Sequence, residues 1–419
     1  MTDTTATTAS PMLPTRRGWT ALPGPARGAL RTTGVTVGSV ALAFLLMAPL
    51  LALDHLSPIE VYHQLLLGAV GSRVVLSSSL LYATPLILIG LGVALSMRAG
   101  FLNIGAQGQL YFGAVAATWF VLAVPSLPAP LLILGAAAIS AVGGGLWALL
   151  AGLARVFRGA NEVVTTLLLN YVAVGVVDFL VYEPLRQGSN AFPQTAPIPA
   201  GAALPTFDVA GVSVGLGVVV GVVAAIAAAA VLRWTAYGYE VRALSTSLDA
   251  SRYAGIRVRR HLLVAAVIGG GLAGIAGAFQ VMGVQLRLTP DFLSSKVAFT
   301  GVLVALLGGC RPIGVLVAGL FMGALTNGGA VVQQATNAPS VMVYVLEALV
   351  LLFILTGLQW ASRGGLTGLR ELLRRTTARR AATRPGPGST PNVPPISGET
   401  APSGNAPAES GPRPGMYQG

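Results

Sequence analysis

Apolar stretches recur ten times along this chain, and most approach the roughly 20 residues that a helix needs to cross a bilayer. They lie at 34–53, 75–97, 104–124, 130–154, 163–182, 211–232, 262–284, 297–309, 313–332 and 341–357. Charged residues make up only 10% of the 419, where a soluble domain carries about a quarter. So few charges cannot cover a water-facing surface, and most of the chain must face lipid. The pattern predicts an all-α polytopic membrane protein with about ten transmembrane helices. The stretch at 297–309 is too short to cross unaided. It either extends upstream past Lys296 or forms a partial helix buried in protein, which makes the count nine or ten. The stretch at 34–53 could pass for a signal peptide, but the long polar segment before it and the many spans after it favour a retained anchor.

Charge placement orients the helices. With the N-terminus inside, 22 of the 26 basic residues fall in cytoplasmic segments, and Arg73, Arg186, Arg287 and Lys296 fall outside. That asymmetry predicts a multi-pass protein of the inner (cytoplasmic) membrane with both termini in the cytoplasm. Residues 1–33 read as a disordered cytoplasmic tail and 34–360 as the transmembrane domain. Residues 361–419 read as a basic amphipathic segment (Leu366, Leu369, Leu372 and Leu373 with Arg370, Arg374 and Arg375) and then a disordered Pro/Gly/Ser-rich tail. Two loops are too long to be simple connectors: a Pro-rich external one at 183–210 and a cytoplasmic one at 233–261. The net charge of +12 does not point to nucleic acid. The arginines sit beside apolar spans, where they set orientation and meet anionic membrane lipid.

Several chemistries are excluded. Cys310 is the single cysteine, so neither an internal disulfide nor a thiolate metal cluster can form. His55, His63 and His261 have no metal-ligand spacing, and no metal site is expected. Lys296 follows Ser294 and Ser295 without the glycines of a phosphate-binding loop, and neither H-E-x-x-H nor G-x-S-x-G occurs. No catalytic residue and no cofactor is expected in this chain.

Polar residues inside apolar surroundings are the informative ones. The segment 98–109 sets Asn103, Gln107 and Gln109 among three glycines between two apolar runs. A helix starting near Asn103 would put Asn103 and Gln107 on one face, four residues apart. That face either contacts a polar solute or staples a helix–helix turn. In the segment 160–171, Asn161 can cap a helix whose first turn holds Glu162. Asn170, two turns further in, either packs or lines a pathway, and Thr166 lies one turn before it. Asp178 and Glu347 are the acids deepest within spans, suited to charge coupling or to pairing with another helix. In the 233–261 loop, Gly238, Glu240, Arg242, Asp249 and Gly255 belong to two short helices, with Asp249 expected to cap the second and Gly255 to end it. An ordered, half-polar helical pair outside the bilayer is what docking of a soluble partner requires.

Together these segments resemble the permease subunits of bacterial ABC importers, in the nucleoside and simple-sugar branch of the branched-chain amino acid/ribose permease family. The matching motifs are A-G-x-x-N-I-G-x-x-G-Q at 99–109, A-N-E-V-x-x-T-x-x-L-N-Y at 160–171, and G-x-x-x-R-A with A-x-x-x-A-G-I at 238–256. V-A-L-L-G followed by P-x-G at 304–327 completes the set. The resemblance implies an all-helical ABC-importer permease fold related to the vitamin B12 importer type. It implies a cytoplasmic ABC ATPase carrying the ATP and Mg, a second and dissimilar permease subunit, and an external substrate-binding lipoprotein. It implies a nucleoside as the solute, with a ribose-like monosaccharide or riboflavin as alternatives, and coupling helices from Glu240 to Gly255 seated on the ATPase. Asn103, Gln107, Gln109, Thr166 and Asn170 are then the candidate pathway residues. Gln107 departs from the family pattern, which often has an acid there. An ion-coupled secondary transporter using Asp178 or Glu347 is the reading from another class.

Overall fold

The computed structural model of this chain describes residues 25–188, 192–293, 296–336 and 338–362. The expected C-terminal amphipathic segment and both tail ends lie outside the described residues. Part of the expected N-terminal tail is helical, because α1 (Pro25–Leu53) begins within it. There follow α2 (Pro58–Val70), α3 (Arg73–Arg98), α4 (Ala106–Ala123), α5 (Ala129–Arg158) and α6 (Glu162–Tyr182). A strand pair, β1 (Thr206–Val209) and β2 (Val212–Gly215), precedes α7 (Leu216–Trp234), α8 (Ala236–Thr246), α9 (Leu248–Tyr253) and α10 (Val258–Gln280). The described chain closes with α11 (Pro290–Leu293), α12 (Val297–Leu307), α13 (Pro312–Thr336) and α14 (Ser340–Ser362).

Among the described residues, six helices are long and apolar enough to cross a membrane: α3, α5, α6, α7, α13, and α10 with its extension to Gln285. Shorter apolar stretches lie in α1, α12 and α14. At 18 residues, α4 reaches about 27 Å, but Gln107 and Gln109 dilute its apolar character. With 11 residues, α12 reaches only about 16 Å. It starts directly after Lys296, so the partial helix is the form observed, and it flanks the middle of α3 through Gly301 and Ile89.

Two elements depart from the sequence expectation. The segment between the first two apolar stretches, to which the sequence assigned no element, contains α2. Ser57 caps it, Pro58 occupies the first turn and Glu60 complements the helix dipole. Its Val61, Leu65 and Gly68 face inward, and Gly68 packs on Val331 and Gly328 of α13. The fold is also not purely helical. β1 and β2 form an antiparallel hairpin with Val209 opposite Val212. Ala210 and Gly211 turn at φ 55° and 80°, as a two-residue hairpin with right-handed strand twist requires. The hairpin sits on α3 through Ser213 N–H donating to Ser77 Oγ at 2.8 Å.

The centre of the bundle is α10, packed against α3, α4 and α5. Contact is nearly backbone to backbone: a Cβ on Gly277 would run into Leu110 O, and one on Gly274 into Ser140 O. Small residues let apolar helices approach this closely without a cushion of side chains. Hydroxyls bridge the same interfaces, with Ser96 Oγ donating to Ala265 O at 3.0 Å and Ser140 Oγ to Gly113 O at 2.9 Å. Beyond Gln280 the helix widens into a π-helical turn, Val281–Gln285. The 183–210 loop folds over that end: the amides of Leu204, Ile198 and Thr195 donate to the carbonyls of Met282, Leu286 and Leu288.

Candidate functional site

The entry to α4 gathers most of the candidate pathway residues. The helix begins at Ala106, not near Asn103, so the expected pairing of Asn103 with Gln107 on one face does not form. Asn103 instead exchanges two hydrogen bonds with Gln109. Its Nδ2 donates to Gln109 Oε1 at 2.9 Å, and Gln109 Nε2 donates to Asn103 Oδ1 at 2.8 Å. Asn103 Oδ1 also accepts from Gly105 N–H at 3.1 Å. From α6, Asn170 Oδ1 accepts from Gly108 N–H at 2.9 Å while its Nδ2 donates to Ile104 O at 3.2 Å.

Gly108 N–H is one of the first-turn amides that a helix cannot satisfy internally, and Gly105 at the N-cap has no side chain to do so. Asn170 therefore caps α4 from another helix. One turn earlier in α6, Thr166 Oγ1 donates to Glu162 O at 2.7 Å. Asn103, Gln109, Thr166 and Asn170 are all buried, and their hydrogen bonds close on the protein itself. Gln107 stands apart: half-buried, it donates from Nε2 to Tyr111 Oη at 2.8 Å.

Sequence reasoning missed three buried polar groups. Trp147 Nε1, Gln280 Oε1 and Gln285 Oε1 have no hydrogen-bond partner among the described residues. The two glutamines flank and occupy the π-helical turn, a geometry that recurs at functional positions. A glutamine inside the stretch at 262–284 was the available signal.

At the opposite end from the hairpin, α8 and α9 form a foot. Thr235 Oγ1 accepts from Gly238 N–H at 3.1 Å to start α8. Val241 and Leu244 face the bundle, and Arg242 donates to Leu232 O. Ser247, not Asp249, caps α9: its Oγ accepts from Ala250 N–H at 3.3 Å. The side chain of Asp249 lies outside the described residues. Gly255 does end the helix, at φ 80°. Gly255 N–H donates to Arg252 O and Ile256 N–H to Ser251 O, both at 3.0 Å, the pattern of a Schellman stop. Tyr253 stands 95% exposed, an aromatic ring of the kind that anchors protein interfaces.

His261, which the sequence left without a role, is buried behind the foot. Its Nε2 lies 2.6 Å from Glu240 Oε2, and its Nδ1 lies 3.1 Å from Arg257 O. Tyr237 stacks on the imidazole, with ring centroids 5.3 Å apart. Burial, and then the Glu240 carboxylate, push the Tyr237 phenol above its ordinary pKa.

The two deep acids differ. Glu347 lies within electrostatic reach of Thr326 and Lys296, and the Lys296 Nζ lies 3.6 Å from the Tyr344 ring centre. Asp178 is half-buried and has no polar partner among the described residues. Glu162 both starts α6 and pairs with Arg155, at 3.2 Å.

A bundle of apolar helices, tied by buried amides and carrying an ordered polar foot at one end, is the architecture of a polytopic helical membrane protein. Comparison with known sequences makes this specific. Residues 75–355 match the family model described as branched-chain amino acid transport system/permease component, and the chain belongs to that family. It is a multi-pass cell-membrane protein and an ABC-type permease. It is 34% identical to the glucose ABC transporter permease protein TsgB13 of Haloferax volcanii, over 77% of this chain and 84% of that protein. It is 31% identical to the nucleoside ABC transporter permease protein NupB of Lactococcus lactis, over 75% and 88% of the two chains. Against the guanosine ABC transporter permease protein NupP of Bacillus subtilis the figures are 30%, 70% and 84%. The same three organisms each have a second matching permease, less similar at 28%, 24% and 26% identity respectively. No solved structure matches the chain.

Proposed function

We propose that this permease imports a nucleoside, as one half of a heterodimer driven by a cytoplasmic ABC ATPase and supplied by an external substrate-binding lipoprotein. The observation that carries the solute is the match to the nucleoside and guanosine permeases over at least 70% of this chain. The paired, unequal relatives in each of three organisms support two dissimilar permeases working together. In the proposed orientation the foot and both termini are cytoplasmic and the hairpin is outside, in keeping with 22 basic residues against four. Ten membrane passages result, α12 being a partial one, and α2 lies along the outer interface.

The foot, from Glu240 to Gly255, rests on the ATPase, with Arg242 and Asp249 in the coupling surface and Gly238 holding α8 against α7. ATP-driven closure of the ATPase moves the foot, and the helices rock to open the pathway inward. Gln107, Gln280 and Gln285 offer hydrogen bonds to solute hydroxyls and ring nitrogens. Asn103, Gln109, Thr166 and Asn170 hold the wall behind them. Glu347, engaged by Thr326 and Lys296, is structural in this reading rather than ion-coupling.

Uptake of labelled guanosine, uridine and glucose by a strain expressing the complete importer tests the solute. Guanosine or uridine should be taken up and should compete with each other. Saturable glucose uptake that nucleosides do not inhibit would instead favour the monosaccharide reading that TsgB13 suggests. Uptake that survives ATP depletion yet collapses with an ionophore would remove the ATPase from the scheme. Arg242→Ala and Gly255→Val should abolish transport at normal expression, and wild-type rates in both would refute the coupling assignment.

A further inference from the structure

Two clefts flank the joint between the foot and α10. A cavity of about 400 Å³ is lined there by Tyr237, Glu240, Gly255, Arg257, Arg260 and His261. Tyr237 also lines a second, apolar cavity of about 310 Å³ among α3, α7, α8 and α10. Between these spaces the foot meets α10 through two kinds of contact. Leu244 clusters with Leu262 and Ala266, and Val241 with Ala265. Such contact is non-directional, so it holds the foot to the bundle without fixing its angle. The His261 imidazole is directional: it reaches Glu240 on one side and the Arg257 carbonyl on the other, under the Tyr237 ring.

From that point α10 runs the length of the bundle with its backbone against its neighbours. A Cβ on Gly92 of α3 would lie 2.5 Å from Gly269 O, and one on Gly270 would lie 2.5 Å from Gly144 O of α5. Short side chains, Ser96 and Ala148, stand beside these contacts. At its far end the carbonyls of the π-helical turn and the residue after it hold the 183–210 loop by hydrogen bonds from Leu204 and Ile198.

We propose that α10 is the shaft that carries movement of the foot to the opposite end of the bundle, and that His261 is the positioning residue that pins the foot to it. This rests on the reading of the chain as the permease of an ATP-driven importer. The test uses the complete importer in liposomes and reads solute taken up per ATP hydrolysed. His261→Ala removes both side-chain bonds and should lower that ratio about tenfold, within the range of coupling losses along a transmission path, while complex assembly and ATPase activity persist. His261→Gln, which can still donate to Glu240, should restore most of it. Glu240→Ala, on the exposed side of the pair, should reproduce the loss, and if His261→Ala does not assemble, the comparison of His261→Leu with His261→Gln decides the matter. An unchanged ratio in the alanine variants, or equal impairment of His261→Ala and His261→Gln, overturns the proposal. If instead the wild-type importer shows no ATP-dependent uptake, it is the importer reading that falls.

Discussion

Replacing Asn170 with alanine strips two hydrogen bonds from the entry to α4 and leaves both partners behind. Gly108 N–H and Ile104 C=O, now bonded at 2.9 and 3.2 Å, would face the space vacated by a side chain that is only 4% exposed. Loss of an ordinary N-cap costs about 1 kcal/mol, and interhelical hydrogen bonds in membrane proteins average about 0.6 kcal/mol. Orphaning a buried backbone group costs about 1–3 kcal/mol. Burial favours the higher values, and two groups are orphaned together, so we expect a loss of about 2–3 kcal/mol. Reversible unfolding in mixed micelles measures that loss, and hydrogen exchange at the Gly108 amide localises it. Tyr171→Ala, at a neighbouring side chain exposed by 77%, serves as the control and should shift stability by less than about 0.5 kcal/mol. An Asn170→Ala shift as small as the control's, with the Gly108 amide still protected, would refute capping from α6.

Gly274→Val should sharply reduce the yield of monodisperse protein on gel filtration. Its Cβ would collide with Ser140 O, and overpacking of this kind costs about 1–3 kcal/mol or more. Glu347→Leu removes a charge that attracts the exposed Lys296 without pairing with it, and should cost less than about 1 kcal/mol. Adding Lys296→Met should recover part of that loss in a thermal melt, and a double variant no better than the single would show the attraction to be negligible. The raised Tyr237 pKa means that the folded protein holds this proton more tightly than the unfolded chain does. Its stabilising contribution is therefore full below about pH 10 and declines as pH rises through the folded value. Tyr237→Phe should flatten that alkaline decline, and an identical pH profile in wild type and variant would contradict it.

Much of the fold was legible because its signals are local. Runs of apolar residues mark α3 to α7 and α10 whatever their partners, and Asn161 and Gly255 announce a helix start and stop through bonds spanning only a few residues. The foot was readable for the same reason. Elements that escaped had weak local signals: α2 is too short to register as a span, and the β1–β2 hairpin straddles the end of the proline-rich loop and the start of the apolar stretch at 211–232. At α9, Ser247 and Asp249 are both plausible caps by type, and only the backbone path shows that Ser247 Oγ meets Ala250 N–H. The candidate site was legible as a set of residues but not as a set of bonds.

From its sequence alone this chain was bound to be a many-helix membrane protein with a polar foot, since span length, charge bias and motif spacing need no knowledge of neighbours. Tertiary structure alone decided that Asn170 caps a helix beginning 64 positions earlier and that His261 joins Glu240. Those pairings depend on which helix faces lie together and how closely they approach. Backbone contact at small residues such as Gly274 and Gly277 sets that approach. Hydrogen bonds act over about 3 Å, so helix packing determines which polar groups come within reach of one another.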